Sequence, residues 1–262
     1  METVSNINLI DTKILEKYAA VDIGNSQLKI LYSNTVEIFP YNSDFEYNLN
    51  KYINNYLNRN ITYAISSVNE NILNEFLQIL SDYKNHSYIL AKSLLDEQEI
   101  INFSEVSGTG EDRKLGLIGG LLYSDAPLIT VDVGTAITIN VLDEKNIFRG
   151  GVILPGPITQ IKSLNQATVG LKDFQLKIPT SMIGENTTDA ISSGIINGNI
   201  ATILFFLEYF QSQILRTDDC QSYLTGGASQ LLLDTITTYY PGIIYKQHLV
   251  LLGLLSLLQK NN

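Results

Sequence analysis

Ala20-Val21-Asp22-Ile23-Gly24-Asn25 and Thr130-Val131-Asp132-Val133-Gly134-Thr135 repeat one pattern 110 positions apart, and the rest of the chain is placed by reference to them. Each is an apolar run, then Asp-x-Gly with Asn or Thr, then a second apolar run, Leu28 to Tyr32 in one case and Ile137 to Leu142 in the other. The pattern predicts two β-hairpins whose tips carry a carboxylate, a glycine and a small polar side chain. One such tip is ordinary turn chemistry. A second copy with matched flanks points instead to a duplicated domain, since solenoid units repeat every ~20–50 residues. Two similar domains are therefore expected to face each other across a cleft.

The tips suit phosphate. Glycine lets the amides of Gly24 and Asn25, or of Gly134 and Thr135, come close to phosphate oxygens. A bare carboxylate would repel that anion, so Asp22 and Asp132 require cations between. A metal-bound nucleotide is the implied ligand.

Composition narrows the class. The 262 residues, 45% of them hydrophobic, suffice for two cores. A net charge of −10, with the 17 Lys and Arg scattered, argues against a nucleic-acid partner and against an anionic membrane surface. Cys220 is the lone cysteine and His86 and His248 the only histidines, which excludes an intramolecular disulfide and argues against structural zinc. The N-terminus lacks a basic segment followed by an apolar one, and Leu249 to Leu258 is too short to span a bilayer, so a cytoplasmic protein with a buried terminal helix is expected.

In chain order, strands are expected near Ala19–Ile23, Leu28–Tyr32, Val36–Phe39 and Ile61–Val68. Helical spacing marks Phe45–Asn58 (Leu49, Ile53, Tyr56, Leu57) and Ile72–Leu80. Gly108 to Arg113 reads as a loop before a helix from Leu115 to Leu122, at the point where a second domain begins. It matches neither G-x-x-x-x-G-K-[ST] nor G-x-G-x-x-G. Beyond the second hairpin come a glycine-rich strand ending at Pro155-Gly156, a helix over Ile158–Thr168, and a long helix to about Leu215 capped by Asn186 or Thr187. Tyr223 to Thr225 is a strand whose Gly226-Gly227 turn could receive a nucleoside. Strands alternating with helices give an α/β class.

Seven segments in this order carry a resemblance: Asp22-x-Gly24-Asn25-Ser26 with Lys29; Ile65-Ser66-Ser67-Val68; Gly110-Glu111-Asp112-Arg113; Val131-Asp132-Val133-Gly134-Thr135-Ala136; Gly150-Gly151 through Pro155-Gly156; Ile183-Gly184-Glu185-Asn186-Thr187; and Thr225-Gly226-Gly227. From about Ala19 to Leu258 the chain resembles the type III pantothenate kinases. The resemblance implies two duplicated ribonuclease-H-like domains in the actin-like ATPase fold, each a five-stranded mixed sheet with helices, around a central cleft. The division it suggests is an extension over 1–17, a first domain over 18–113 and a second over 114–262. It also implies transfer of the ATP γ-phosphoryl to pantothenate, the first step of coenzyme A synthesis.

Carried onto this chain, the resemblance makes Asp22, Ile23, Gly24, Asn25, Ser26, Gln27, Leu28 and Lys29 the first phosphate loop, with Asp22 near Mg2+. Asp132 becomes the ligand of a monovalent cation, K+ or NH4+, and Thr135 a phosphate contact. Phe103, Gly110, Glu111, Asp112 and Arg113 become the pantothenate site, with Asp112 as general base. Thr187 matches a residue that reaches pantothenate from a neighbouring subunit, which implies a homodimer with shared active sites. Three positions depart from the family pattern: Asn140 for a common Asp, Ser26 for Thr, and Phe103 for a tyrosine. Two alternatives accompany this reading, a non-catalytic regulatory relative of the transcription accessory type and a kinase of another small alcohol.

Overall fold

The computed structural model describes residues 2–3, 7–56, 58–168 and 174–260. Leu57 of the expected helix, and residues 1 and 4–6 of the expected extension, lie outside the described residues. In chain order the elements are β1 (Glu2–Thr3), α1 (Thr12–Lys17), β2 (Tyr18–Ile23), β3 (Gln27–Tyr32), β4 (Thr35–Pro40), α2 (Phe45–Asn54), β5 (Ile61–Ser67), α3 (Glu70–Ser81), β6 (His86–Leu90), α4 (Ala91–Glu97) and α5 (Glu111–Gly120). There follow β7 (Leu128–Val133), β8 (Ala136–Leu142), β9 (Phe148–Pro155), α6 (Pro157–Ala167), α7 (Thr187–Tyr209), β10 (Gln221–Thr225), α8 (Leu233–Tyr239), β11 (Ile243–Tyr245) and α9 (Leu249–Lys260).

The chain forms two compact units: Met1–Asn102, Ser107–Tyr123 and His248–Asn262 make the first, and Phe103–Val106 with Ser124–Gln247 the second. This differs from a cut after Arg113, because α5 and α9 both pack in the first unit. Their backbones approach at glycines: a Cβ on Gly119 would strike the Leu249 carbonyl, and one on Gly253 the Leu115 carbonyl. Only glycine permits that approach.

The first sheet runs β1-β4-β3-β2-β5-β6, five core strands plus the two-residue β1. β2 pairs antiparallel with β3 and parallel with β5. Ala19, Val21 and Ile23 join Leu49, Ile53 and Phe76 in the core under α2 and α3. Alternation then turns Ala20 and Asp22 to the opposite face. β2 is buried along nearly its whole length, which explains its unbroken apolar reading. The expected extension is in part structured: Thr12–Lys17 is helical, and the Asp11 amide donates to Gln259 of α9 at 2.8 Å.

The second sheet runs β11-β10-β7-β8-β9, the same order and directions as the five core strands of the first. Ile129, Val131 and Val133 pack with Ile196, Ile200, Ile203 and Leu207 of α7. Thr187–Leu215, a 29-residue helical run, is long and apolar enough by composition to cross a membrane, a property the sequence reading weighed only for Leu249–Leu258. The buried isoleucines of α7 account for that hydropathy as core packing.

Candidate functional site

In the first unit the β2–β3 turn closes with the Gly24 amide donating to the Gln27 carbonyl at 3.1 Å. The Gly24 amide, expected from the sequence to meet phosphate, is thus engaged within the turn. Tyr41 secures the turn, its hydroxyl donating to the Gly24 carbonyl at 2.9 Å. No sequence signal marked Tyr41; burial and then the nearby Asp22 charge raise its pKa. Ile23 and Leu28 are wholly buried, so their side chains belong to the core and only backbone remains to meet a ligand. Asn25 and Ser26 are exposed at the tip.

Asp22 stands opposite Lys29 in the β2–β3 register, with Nζ to Oδ2 at 3.6 Å. Burial raises the Asp22 pKa; Lys29 opposes that shift and the carboxylate of Asp112 adds to it. Asp112 is therefore close enough to act electrostatically on Asp22. The β5 partner of Asp22 is Ser66.

Asp112 and Arg113 lie in the first turn of α5 rather than in a loop, which corrects the expected helix start at Leu115. Two acidic residues in the opening turn complement the helix dipole and let the helix begin there. The Asp112 carboxylate accepts the Arg113 amide at 2.8 Å and folds back over Gly110, where any Cβ would meet Oδ1. Burial lowers the Arg113 pKa while Asp112 raises it; a guanidinium stays charged under either influence. Asp22, Gly24 to Lys29 and Gly110 to Arg113 are thus gathered in one unit.

In the second unit the β7–β8 turn is one residue tighter. The Gly134 amide donates to the Ala136 carbonyl at 2.9 Å, so it too is engaged. Thr135 is exposed, and its carbonyl accepts from the Gly156 amide at 2.9 Å and the Thr159 hydroxyl at 2.6 Å. Asp132 pairs with Thr138 on β8 and Thr225 on β10. Gly226, at φ +100°, lies against it: a Cβ there would collide with Asp132 Oδ1 and the Val133 carbonyl. The Gly226-Gly227 turn, read as a nucleoside seat, is first of all what makes room for this carboxylate. Asn140 is buried, and its amide donates to the Thr138 hydroxyl at 3.2 Å.

Phe103 belongs to this second unit, edge-on to Phe148 of β9 at 5.8 Å between centroids. Its segment is tied down where Arg149 pairs with both Glu105 and Asp143. Asn186 caps α7 by accepting the Asp189 amide at 3.0 Å, which resolves the two candidates and leaves Thr187 exposed in the first turn. No group of three or more metal-ligating side chains occurs among the described residues.

The family model described as type III pantothenate kinase matches residues 19–208. A type III pantothenate kinase of Sulfurihydrogenibium sp. is 28% identical over 251 residues, covering 90% of this chain and 96% of that protein. One of Synechococcus elongatus is 35% identical over 150 residues, covering 57% of this chain and 59% of its own. Among solved structures, a Baf family transcriptional activator from Campylobacter jejuni matches at TM-score 0.60 and 23% identity, covering 93% of this chain and 98% of that one. An archaeal actin homolog matches at TM-score 0.54 and 11% identity, over 93% of this chain and 99% of that one. At these identities the two structures show the fold alone, an actin-like one.

Proposed function

Because the chain belongs to the type III pantothenate kinase family, we propose that its two Asp-x-Gly tips serve one reaction, the ATP-dependent phosphorylation of pantothenate to 4'-phosphopantothenate that opens coenzyme A biosynthesis. The observation that carries this is the meeting of Asp22, Lys29 and Asp112 in one unit of a chain that matches the family over most of its length. The regulatory alternative is not favoured, since the Baf likeness extends to the fold only.

In this reading Asn25, Ser26 and Lys29 receive the triphosphate at the first tip and Thr135 receives it at the second. Asp112 accepts the proton of the pantothenate hydroxyl as that oxygen takes the γ-phosphoryl, and ADP leaves. Phosphoryl transfer is largely dissociative, so a carboxylate suffices as base and contributes ~10²–10⁴-fold. Arg113 offsets the charge of pantothenate or of the phosphoryl group.

A single partly buried carboxylate at Asp22, without a closed cage of ligands, fits Mg2+, which keeps several waters and binds through one or two carboxylates. When bound, Mg2+ neutralises phosphate charge. At the second tip the Asp132 carboxylate, which faces Thr138 rather than a lysine in the register, is the group that would hold K+ or NH4+. Thr187, spared from capping, fits a contact offered to the pantothenate of a second subunit in a homodimer. A cytoplasmic location suits a metabolic kinase with a single cysteine and hence no internal disulfide.

The test is phosphorylation of pantothenate and of a panel of small alcohols, with Mg2+ and with K+ or Na+. Turnover of pantothenate that K+ stimulates supports the proposal; turnover of another alcohol alone, or of none, overturns it. For shared sites, mixing Asp112→Asn and Thr187→Val subunits should regenerate one intact site per mixed dimer. Verified subunit exchange without recovered activity overturns the shared site.

A further inference from the structure

In and beside the helices of the second unit, threonine hydroxyls donate to a carbonyl four residues back: Thr168 to Leu164 at 2.8 Å, Thr202 to Gly198 at 2.8 Å, Thr237 to Leu233 at 2.9 Å and Thr238 to Asp234 at 2.8 Å. That is the ordinary local outlet for such a side chain. Thr159, in the first turn of α6, does otherwise. Its hydroxyl donates to the Thr135 carbonyl at 2.6 Å, 24 positions away at the tip of the β7–β8 hairpin. The carbonyl four residues before it, that of Pro155, is taken by Gln160 Nε2 at 2.8 Å. The same Nε2 donates to Asn199 Oδ1 of α7 at 2.9 Å, and the buried Asn199 donates in turn to the Ile195 carbonyl at 2.7 Å.

The opening of α6 therefore grips the tip rather than itself. The Thr135 carbonyl takes two donors, the Gly156 amide at 2.9 Å and the Thr159 hydroxyl. A Cβ at Gly156 would strike the Gly134 carbonyl, so helix and tip lie as close as bare backbone allows. Because a peptide unit is planar and rigid, two donors on one carbonyl fix the plane of the Thr135–Ala136 peptide, whereas a single donor lets it tilt. Resting on the kinase reading, we infer that Thr159 is a positioning residue: it holds the Thr135 peptide in the orientation in which Thr135 meets the triphosphate. Gln160 ties α6 back to α7 and gives that grip a fixed base. The first tip is also held from outside its hairpin, there by the Tyr41 hydroxyl on the Gly24 carbonyl.

Thr159→Val keeps the shape of the side chain and removes the donor. It should weaken MgATP binding about tenfold in calorimetry without any acceptor, the equivalent of about 1.4 kcal/mol. At saturating ATP kcat should stay within about threefold of the parent, because the proposed base on α5 is untouched. Thr159→Ser restores the hydroxyl and should bring MgATP affinity back to within about threefold. The Thr135 amide resonance should shift in Thr159→Val and return in Thr159→Ser. Thr168→Val removes a hydroxyl bonded within α6 itself and should change MgATP affinity by less than about twofold, whereas a merely structural need for helical threonines would make the two valine variants alike. A parent that does not bind MgATP overturns the kinase reading, and this role with it. A parent that binds, with Thr159→Val within about twofold of it, overturns the positioning role alone. Equal weakening by Thr168→Val, no recovery in Thr159→Ser, or an unmoved Thr135 amide overturns it too.

Discussion

At the first tip Asp22 stands opposite Lys29, whose ammonium lies 3.6 Å away; at the second, the same register puts Thr138 opposite Asp132. On the other flank Asp22 has Ser66 and Asp132 has Thr225, followed by a glycine at φ +100° that lies against the carboxylate. One strand order thus carries two solutions to the same electrostatic problem. The first tip contains its own cation beside the proposed base; at the second a threonine takes the register position of the lysine, and the neutralising charge is assigned to a cation from solution. The difference teaches that two sheets sharing one strand order need not share one chemistry, and it can be broken at either tip.

The largest effect belongs to the first unit. Asp112→Asn should cut kcat by about 10²–10⁴-fold while the nucleotide Kd stays nearly unchanged; parallel loss of both in rapid-quench and calorimetric measurements would remove Asp112 from the role of base. Next is the second tip's glycine. Gly226→Ala should destabilise the protein by about 1–3 kcal/mol through its backbone conformation, with further loss as its Cβ displaces Asp132. Chemical denaturation checks this, and Ser67→Ala at the matching position of the first tip should cost far less stability.

Lys29→Met should raise the ATP KM about tenfold, the effect of losing roughly 1.4 kcal/mol of charge interaction. Thr138→Lys makes the converse change, placing an ammonium opposite Asp132. Its turnover should lose dependence on K+, at a cost of about 1 kcal/mol for the Asn140–Thr138 hydrogen bond. Unchanged K+ activation in that variant would break the proposed division of labour.

The smallest effect is one of pH. Burial raises the Asp22 pKa, so the stability linked to that carboxyl is fully present below its unfolded value of 3.8 and is lost as pH rises through the higher folded value. Asp22→Asn should therefore have a higher Tm than the parent at pH 8, and the gap should close as pH falls toward 4. A gap that widens on acidification would show Lys29 outweighing burial.

Much of this arrangement was legible because the signals were local. Alternating apolar runs around Asp22 and Asp132 gave both hairpins, and their repetition agrees with the shared strand order of the two sheets. What stayed hidden depends on contacts distant in sequence. His86–Leu90 and Ile243–Tyr245 were not read as strands; both form short parallel pairings at sheet edges. The start of α5 lies four residues before the expected one, because Glu111 and Asp112 look like loop residues until the helix dipole they complement is considered. Tyr41, fastened to the Gly24 carbonyl from 17 positions away, has no pattern that announces it.

Helix α9 closes the first unit from the far end of the chain, meeting α5 glycine to backbone and receiving Asp11 at Gln259. During synthesis the whole of Ser124–Gln247 emerges before that helix does. The later-coded module is then free to fold first, while the one bearing the proposed base stays open until its closing segment leaves the ribosome. Completion of the first unit would thus wait on helix α9 rather than on the strands that begin it.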